Sequence, residues 1–263
     1  MRWTRWRMGT VLVAAVAALA ACDDGGGPGS GAPLTLSFAV RSGSGQPSPA
    51  LMGVPVTDAD GNAIEIASAE LVLREVEFER AEAVADCDSV EGSDDCEKVE
   101  EGPFVVALPV DATSPVVVLE AALPAGVWDE VEFDVHKLDD DDPRDVAFVQ
   151  ANPQYADFFD ISIRVTGTWT PAGGSPTPFT FETDLNEEQE IEFPAPIEVV
   201  EGGPGVNVTF AVDLGLWFRD ATGRLIDPAS ANKGGPNEGL VKENIKRSIE
   251  GFEDDDRDGR EDS

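Results

Sequence analysis

Three cysteines and one histidine are the scarce chemistry-bearing side chains of this 263-residue sequence. Cys22 closes Leu19-Ala20-Ala21-Cys22, behind a basic head (Arg2, Arg5, Arg7) and an apolar run from Val11 to Leu19. A charged head, a brief apolar stretch and small residues before a cut site make a secretory signal over residues 1–21. The run is too short to span a bilayer, which takes ~20 apolar residues. Cys87 and Cys96 flank a polar, turn-like segment, Asp88 to Asp95. That spacing is far longer than the two-residue spacing of redox and zinc motifs. An exported chain meets an oxidising compartment, so the pair is expected as a disulfide across a hairpin loop, contributing ~2–3 kcal/mol.

His136 has no partner motif. No G-x-S-x-G elbow is present for a serine triad, and zinc hydrolysis calls for two or three histidines. Phosphate-cradling and dinucleotide fingerprints are missing as well. Carboxylates are so abundant, 52 Asp and Glu against 18 Lys and Arg, that a glycosidase pair cannot be singled out. The chain is therefore expected not to be an enzyme; a carboxylate-based hydrolase is the least favoured alternative.

The Leu-Ala-Ala-Cys stretch resembles the lipobox of bacterial lipoproteins. The resemblance implies a diacylglycerol thioether on Cys22, cleavage before it and acylation of the new amine. Three acyl chains hold a protein on a membrane without further help. Cleavage removes three arginines and no acid, moving the formal charge from −34 to −37. Such a surface repels nucleic-acid backbones and anionic headgroups alike. Divalent cations, polycations and neutral ligands remain compatible partners. Asp23-Asp24 resembles an inner-membrane retention signal in some lineages and favours surface export in others, so the periplasmic face and the cell surface both stay open.

The elements that must position these residues read mainly as strands. Residues 22–33, rich in Gly, Pro and Ser, form a lipidated tether. Residues 34–231 follow as one β domain. Leu34 to Val40 alternates, and Asp58 to Asn62 turns between Val54-Pro55-Val56 and Ile64-Glu65-Ile66. Glu70 to Arg80 reads as a long, bulged strand, with a helix capped by Ser68 as the alternative. Val127, Val131, Phe133 and Val135 mark one face of the next clear strand, with Trp128, Glu130, Glu132, Asp134 and His136 on the other. Further strands are expected over 161–169, 179–185, 190–193 and 206–218. Roughly nine or ten strands with Gly- and Pro-rich loops argue for an antiparallel β-sandwich. It is expected to be immunoglobulin-like or transthyretin-like, with one C-terminal helix. That helix is read over 237–252 inside the segment 232–263, with Asn237 as N-cap and Leu240, Val241, Ile245, Ile249 and Phe252 as its apolar stripe. Trp128, Trp169 and Trp217 are read chiefly as core caps, with sugar stacking as the alternative.

Two further resemblances follow. The lipobox, the strands and the Leu123-Pro124-Ala125-Gly126 turn are similar to envelope lipoproteins carrying a domain of unknown function, which implies the fold class and no activity. The tail, Asp254 to Asp262, fits D-x-D-x-D-G-x-x-D and resembles the calcium loops of thrombospondin type-3 repeats and dockerins. The resemblance implies carboxylate ligands from Asp254, Asp256 and Asp258, a backbone carbonyl from Arg260 and a further carboxylate from Asp262, with Gly259 making the turn. Ca²⁺ takes six to eight oxygens, and a lone loop without its twelfth-position acid would bind in the ~10⁻⁴–10⁻³ M range. The Asp139–Asp142 run could lend a ligand, although a solvated face is the plainer reading. The expected function is a lipid-anchored envelope module that binds or supports an envelope protein, or binds a glycan with calcium as stabiliser.

Overall fold

The computed structural model describes residues 32–41, 54–81, 98–112, 114–200, 202–203 and 205–260. Among them, twelve strands form two sheets packed face to face. The fold is mainly β and sandwich-like, in agreement with the pattern of the sequence. The stretch read as a signal, residues 22–31 of the expected tether, Cys87, Cys96 and Asp262 lie outside the described residues, while Ala32 and Pro33, read as the end of the tether, belong to the first strand.

The smaller sheet has the order β12 (Ile249–Glu253), β11 (Val206–Asp213), β1 (Ala32–Arg41) and β6 (Val116–Leu123). Alternation turns Leu34, Leu36, Phe38 and Val40 of β1 inward, where each is buried. β1 and β11 run parallel, with Leu36 opposite Val208 and Phe38 opposite Phe210. The expectation of a wholly antiparallel sandwich therefore needs this one amendment. Parallel neighbours are joined by a long crossover, and here the whole larger sheet lies between them in sequence.

The larger sheet is organised by β3 (Ala63–Arg80), one strand of 18 residues. β2 (Val54–Thr57), β5 (Phe104–Ala107) and β4 (Lys98–Glu101) pair along one edge of it. β8 (Ile163–Thr170) pairs with its first half and β7 (Gly126–Val135) with its second. Leu73 faces Phe104 of β5 and Val135 of β7, so those two strands take opposite edges. Glu70 and Leu71 separate β5 from β8 in the same way. β7 and β8 thus lie end to end along one edge of β3. β9 (Thr177–Thr183) and β10 (Glu187–Val199) continue the layer outside them.

One aromatic contact joins the sheets, Phe133 of β7 to Phe210 of β11 at 4.7 Å, and Phe210 also meets its neighbour in the smaller sheet, Phe38, edge-on at 5.4 Å. Burying each such side chain contributes roughly 1.5–3 kcal/mol.

The sheet is interrupted at the β7–β8 junction, where the chain leaves to build a cap. Asp142 accepts the Arg144 amide at 2.8 Å and Pro143 takes the first turn of α1 (Pro143–Ala151), a helix the sequence reading did not include. A 3₁₀ segment, Pro153–Phe159, follows. Together they cover Val72 with Leu138, Phe158 and Ile161, a second small apolar cluster. Arg74, the residue skipped between Leu73 and Glu75 in the pairing with β7, reaches into this cap. Its Nε donates to Asp145 and its Nη2 to Asp142, both at 3.0 Å. Asp145 is fully buried and also accepts the Asp139 amide. Asp142 is thus both the helix cap and, with Asp145, the clamp on Arg74.

Two other expectations are corrected. The C-terminal helix is shorter than 237–252: α3 spans Glu238–Lys246, after a one-turn α2 (Leu214–Trp217). Asn237 makes no side-chain cap bond, because its amide donates to Ser230. Ser248 ends the helix, donating to the Ile245 carbonyl and accepting from the Trp217 indole, both at 2.7 Å. Ile249 and Phe252 then belong to β12, antiparallel to β11. Second, Trp128 is buried while Val127 is only half-buried. The pairing skips Asp129, and that bulge reverses the faces of the residues before it. Trp128 therefore lines the core, with Arg80 over its ring at 4.9 Å and its indole donating to Pro124.

Candidate functional site

The terminal aspartates are placed by a buried polar ladder on the outer face of the smaller sheet. Thr35 and Ser37 of β1 each donate to the side-chain carbonyl of Asn207 on β11, at 2.7 and 2.8 Å. The Asn207 amide donates to Thr209 and to the Asp254 carbonyl. Thr209 in turn donates to the Asp254 carboxylate at 2.7 Å. All five residues are buried. A satisfied network of this kind fixes one geometry, since leaving any member unpaired is costly.

Asp254 also organises the turn that follows it. Its carboxylate accepts the amides of Asp258 and Gly259, at 2.9 and 3.1 Å. Asp256 accepts the Asp258 amide at 3.1 Å. Gly259 has φ +79°, where a side chain would be strained, and Arg257 has φ +57°. One oxygen from each of Asp254, Asp256 and Asp258 falls within 4.8 Å of the others. Three of the five expected ligand positions therefore come together. Arg260 ion-pairs weakly with Asp258 at 3.9 Å, and Asp262 is outside the described residues. In the Asp139–Asp142 run, Asp142 is committed to α1 and Arg74, while one oxygen from each of Asp139, Asp140 and Asp141 lies within 4.8 Å of the others, a group separate from the tail aspartates.

A larger constellation escaped the sequence reading. The outer face of three adjacent strands carries acids in register. Glu77 of β3 faces Glu132 of β7, which faces Glu190 of β10; Glu79, Glu130 and Glu192 form the next row. Glu75, Asp134 and Glu188 form the third. The signal was present as three pentads with acid at alternate positions, Glu75–Glu79, Glu130–Asp134 and Glu188–Glu192. Only pairing shows that they stack. Burial, reinforced by a hydrogen bond with Glu188 and the charges of Glu77 and Glu79, pushes the Glu132 carboxyl up to about 7. Burial also raises Glu75, Glu79, Glu130 and Asp134, each reinforced by neighbouring carboxylates.

The other candidates are structural. His136 Nδ1 lies 2.6 Å from the Lys137 carbonyl. Trp217 is buried against Ser248, and Trp169 packs half-buried on the core. Asp58 caps its hairpin turn, accepting the amides of Asp60, Asn62 and Leu225. Its side-chain bond with Asn62, then these amides, hold it well below the usual carboxylate range against some desolvation. Among the described residues no helix is long and apolar enough to cross a membrane.

No protein-family model, curated protein or solved structure matches the chain.

Proposed function

We propose that this chain is a non-catalytic bacterial envelope lipoprotein whose β-sandwich works as a binding or structural module. The observation that carries the reading is Leu19-Ala20-Ala21-Cys22 behind a basic head and a short apolar run. The first described strand begins at Ala32, so a tether from Cys22 would reach about 35 Å at full extension. That distance keeps the domain near the bilayer, where its negative charge opposes close approach to anionic headgroups. Mass spectrometry of the N-terminal peptide from membranes of an expressing bacterium should find a diacylglyceryl cysteine. Cys22→Ala should move the protein to the soluble fraction. An unmodified Cys22 in a membrane-free protein would end this reading.

A calcium-stabilised version is favoured by the convergence of Asp254, Asp256 and Asp258. Calcium there would tie the end of the chain to β11 and clamp β12. Calorimetric titration of the full chain with Ca²⁺ should give heat that Asp256→Ala removes; identical traces would sink it. Glycan arrays with and without chelator separate a carbohydrate partner from a protein one.

A further inference from the structure

We propose that the outer face of β3, β7 and β10 is a proton-operated latch, in which protonation relieves the repulsion among the opposed acid rows and its loss loosens β10. The geometry comes first. Three rows of three acids stand directly opposite one another across two strand pairings. Like charges so placed repel, and opposite charges would attract. β10 is the outermost strand of this sheet, paired to β7 alone among the described strands. It therefore has a neighbour on one side only to hold it against that repulsion.

The charged groups around the face do not neutralise it. From β4, Lys98 pairs with Glu77 at 2.9 Å, while Glu100 adds a fourth acid to the middle row. From α1, Arg144 is shared among Glu100, Glu75 and Asp142. Arg74 is committed to Asp142 and Asp145, although its charge and that of His136 favour ionised Asp134. Asp129 adds negative charge beside Glu130. From α3, Lys246 pairs with Glu187 at the start of β10. No lysine or arginine among the described residues pairs with Glu130, Glu132, Glu188, Glu190 or Glu192.

Protons supply what cations do not. A proton held between Glu132 and Glu188 would join β7 to β10, whereas Glu77 and Glu79 stand side by side along β3 itself. The folded state thus holds protons that the unfolded chain releases near the ordinary glutamate value of 4.5. Carboxyls raised in this way make stability fall as pH rises from about 4.5 to about 7, and level off above.

The test is hydrogen exchange on the full-length chain at pH 5.5 and pH 8, corrected for intrinsic rates. Protection of β10 amides should fall at least tenfold at the higher pH, since one unit of pKa shift is a tenfold effect. Amides of β9, the equivalent strand without the acid rows, should change less than about twofold. The double variant Glu132→Gln with Glu188→Gln should lose the β10 response. Glu190→Gln, at an exposed position, should reduce it and serves if the double variant misfolds. An equal loss of protection in β9 and β10 would reduce the effect to general charge repulsion and overturn the proposal. So would an unchanged response in the variants, or a Glu132 carboxyl titrating near 4.5 by carbon NMR.

Discussion

β3 serves two half-sheets that share a backbone and differ in charge order. In the first half, Glu70 faces Arg164, which faces Glu182, an alternation of sign closed by a 2.8 Å ion pair. Next to it Ser68 and Thr166 share a hydroxyl bond of 2.6 Å. Past the bulge at Arg74, the three outward-facing rows from Glu75 to Glu79 are each acid on acid on acid. Both halves bury an equivalent aromatic beneath, Phe181 in one and Phe133 in the other. The core is therefore no guide to the surface. One sheet tolerates paired charge and unpaired charge on the same strand because the inner face supplies the cohesion.

The comparison can be broken most directly from inside. Phe133→Ala and Phe181→Ala should each cost roughly 3–5 kcal/mol in urea denaturation at pH 5. A much larger loss for Phe133 would mean that the acid half has little else to hold it. The junction between the halves comes next. Asp145→Ala removes one of Arg74's two close partners and strips the Asp139 amide, which should cost about 1.5–3 kcal/mol. Exchange of charge order is the sharpest test, though smaller. Arg164→Glu should cost up to about 1 kcal/mol at pH 8 and recover at pH 5, while Glu132→Lys should stabilise by a similar amount at pH 8.

A still smaller effect sets the acid limb. Asp58, Asp142, Asp184, Asp220 and Glu238 are held below their ordinary values by hydrogen bonds or lysine partners. Asp184, opposed by burial but paired with Lys233 and Lys242, falls to about 2. Groups lowered in this way give stability that is present above the ordinary carboxylate range and lost as pH falls through the folded value. Against the opposite trend of the acid rows, stability should peak near about pH 5 in a series of denaturation curves.

Much of this architecture was legible in the alternation of single strands. Leu34 to Val40 and the Asp58 turn stand where their residue types put them, and the long strand ending at Arg80 is found too, though it starts at Ala63 and absorbs Ile64–Ile66, which read as a separate strand. The errors have a common physical cause, which is that pairing overrides local period. The bulge at Asp129 exchanged Val127 for Trp128, and no property of those residues announces it. Ile249 and Phe252 sit at helical spacing from Ile245, yet Ser248 and Trp217 stop the helix through a contact 31 residues apart in sequence. The helix at Pro143 was readable, since Asp142-Pro143 is a cap and a first turn; the four aspartates drew attention as charge instead. The three acid pentads were visible one by one, and their stacking needed the register of β3, β7 and β10. For the tail, the spacing of Asp254, Asp256 and Asp258 marked the turn, while the ladder from Thr35 to Thr209 that receives it is assembled from distant strands.

The position of β1 has a mechanical consequence. From Leu34 to Phe38 it is paired on both sides, to β11 and to β6. A pull on the chain ahead of Ala32 enters along the axis of a strand gripped by two neighbours. Hydrogen bonds across a sheet lie crosswise to its strands, so such a load must shear them together. An edge strand such as β12 would instead peel open bond by bond. The proposed anchor on Cys22 would thus load the domain through a strand that must shear from two neighbours.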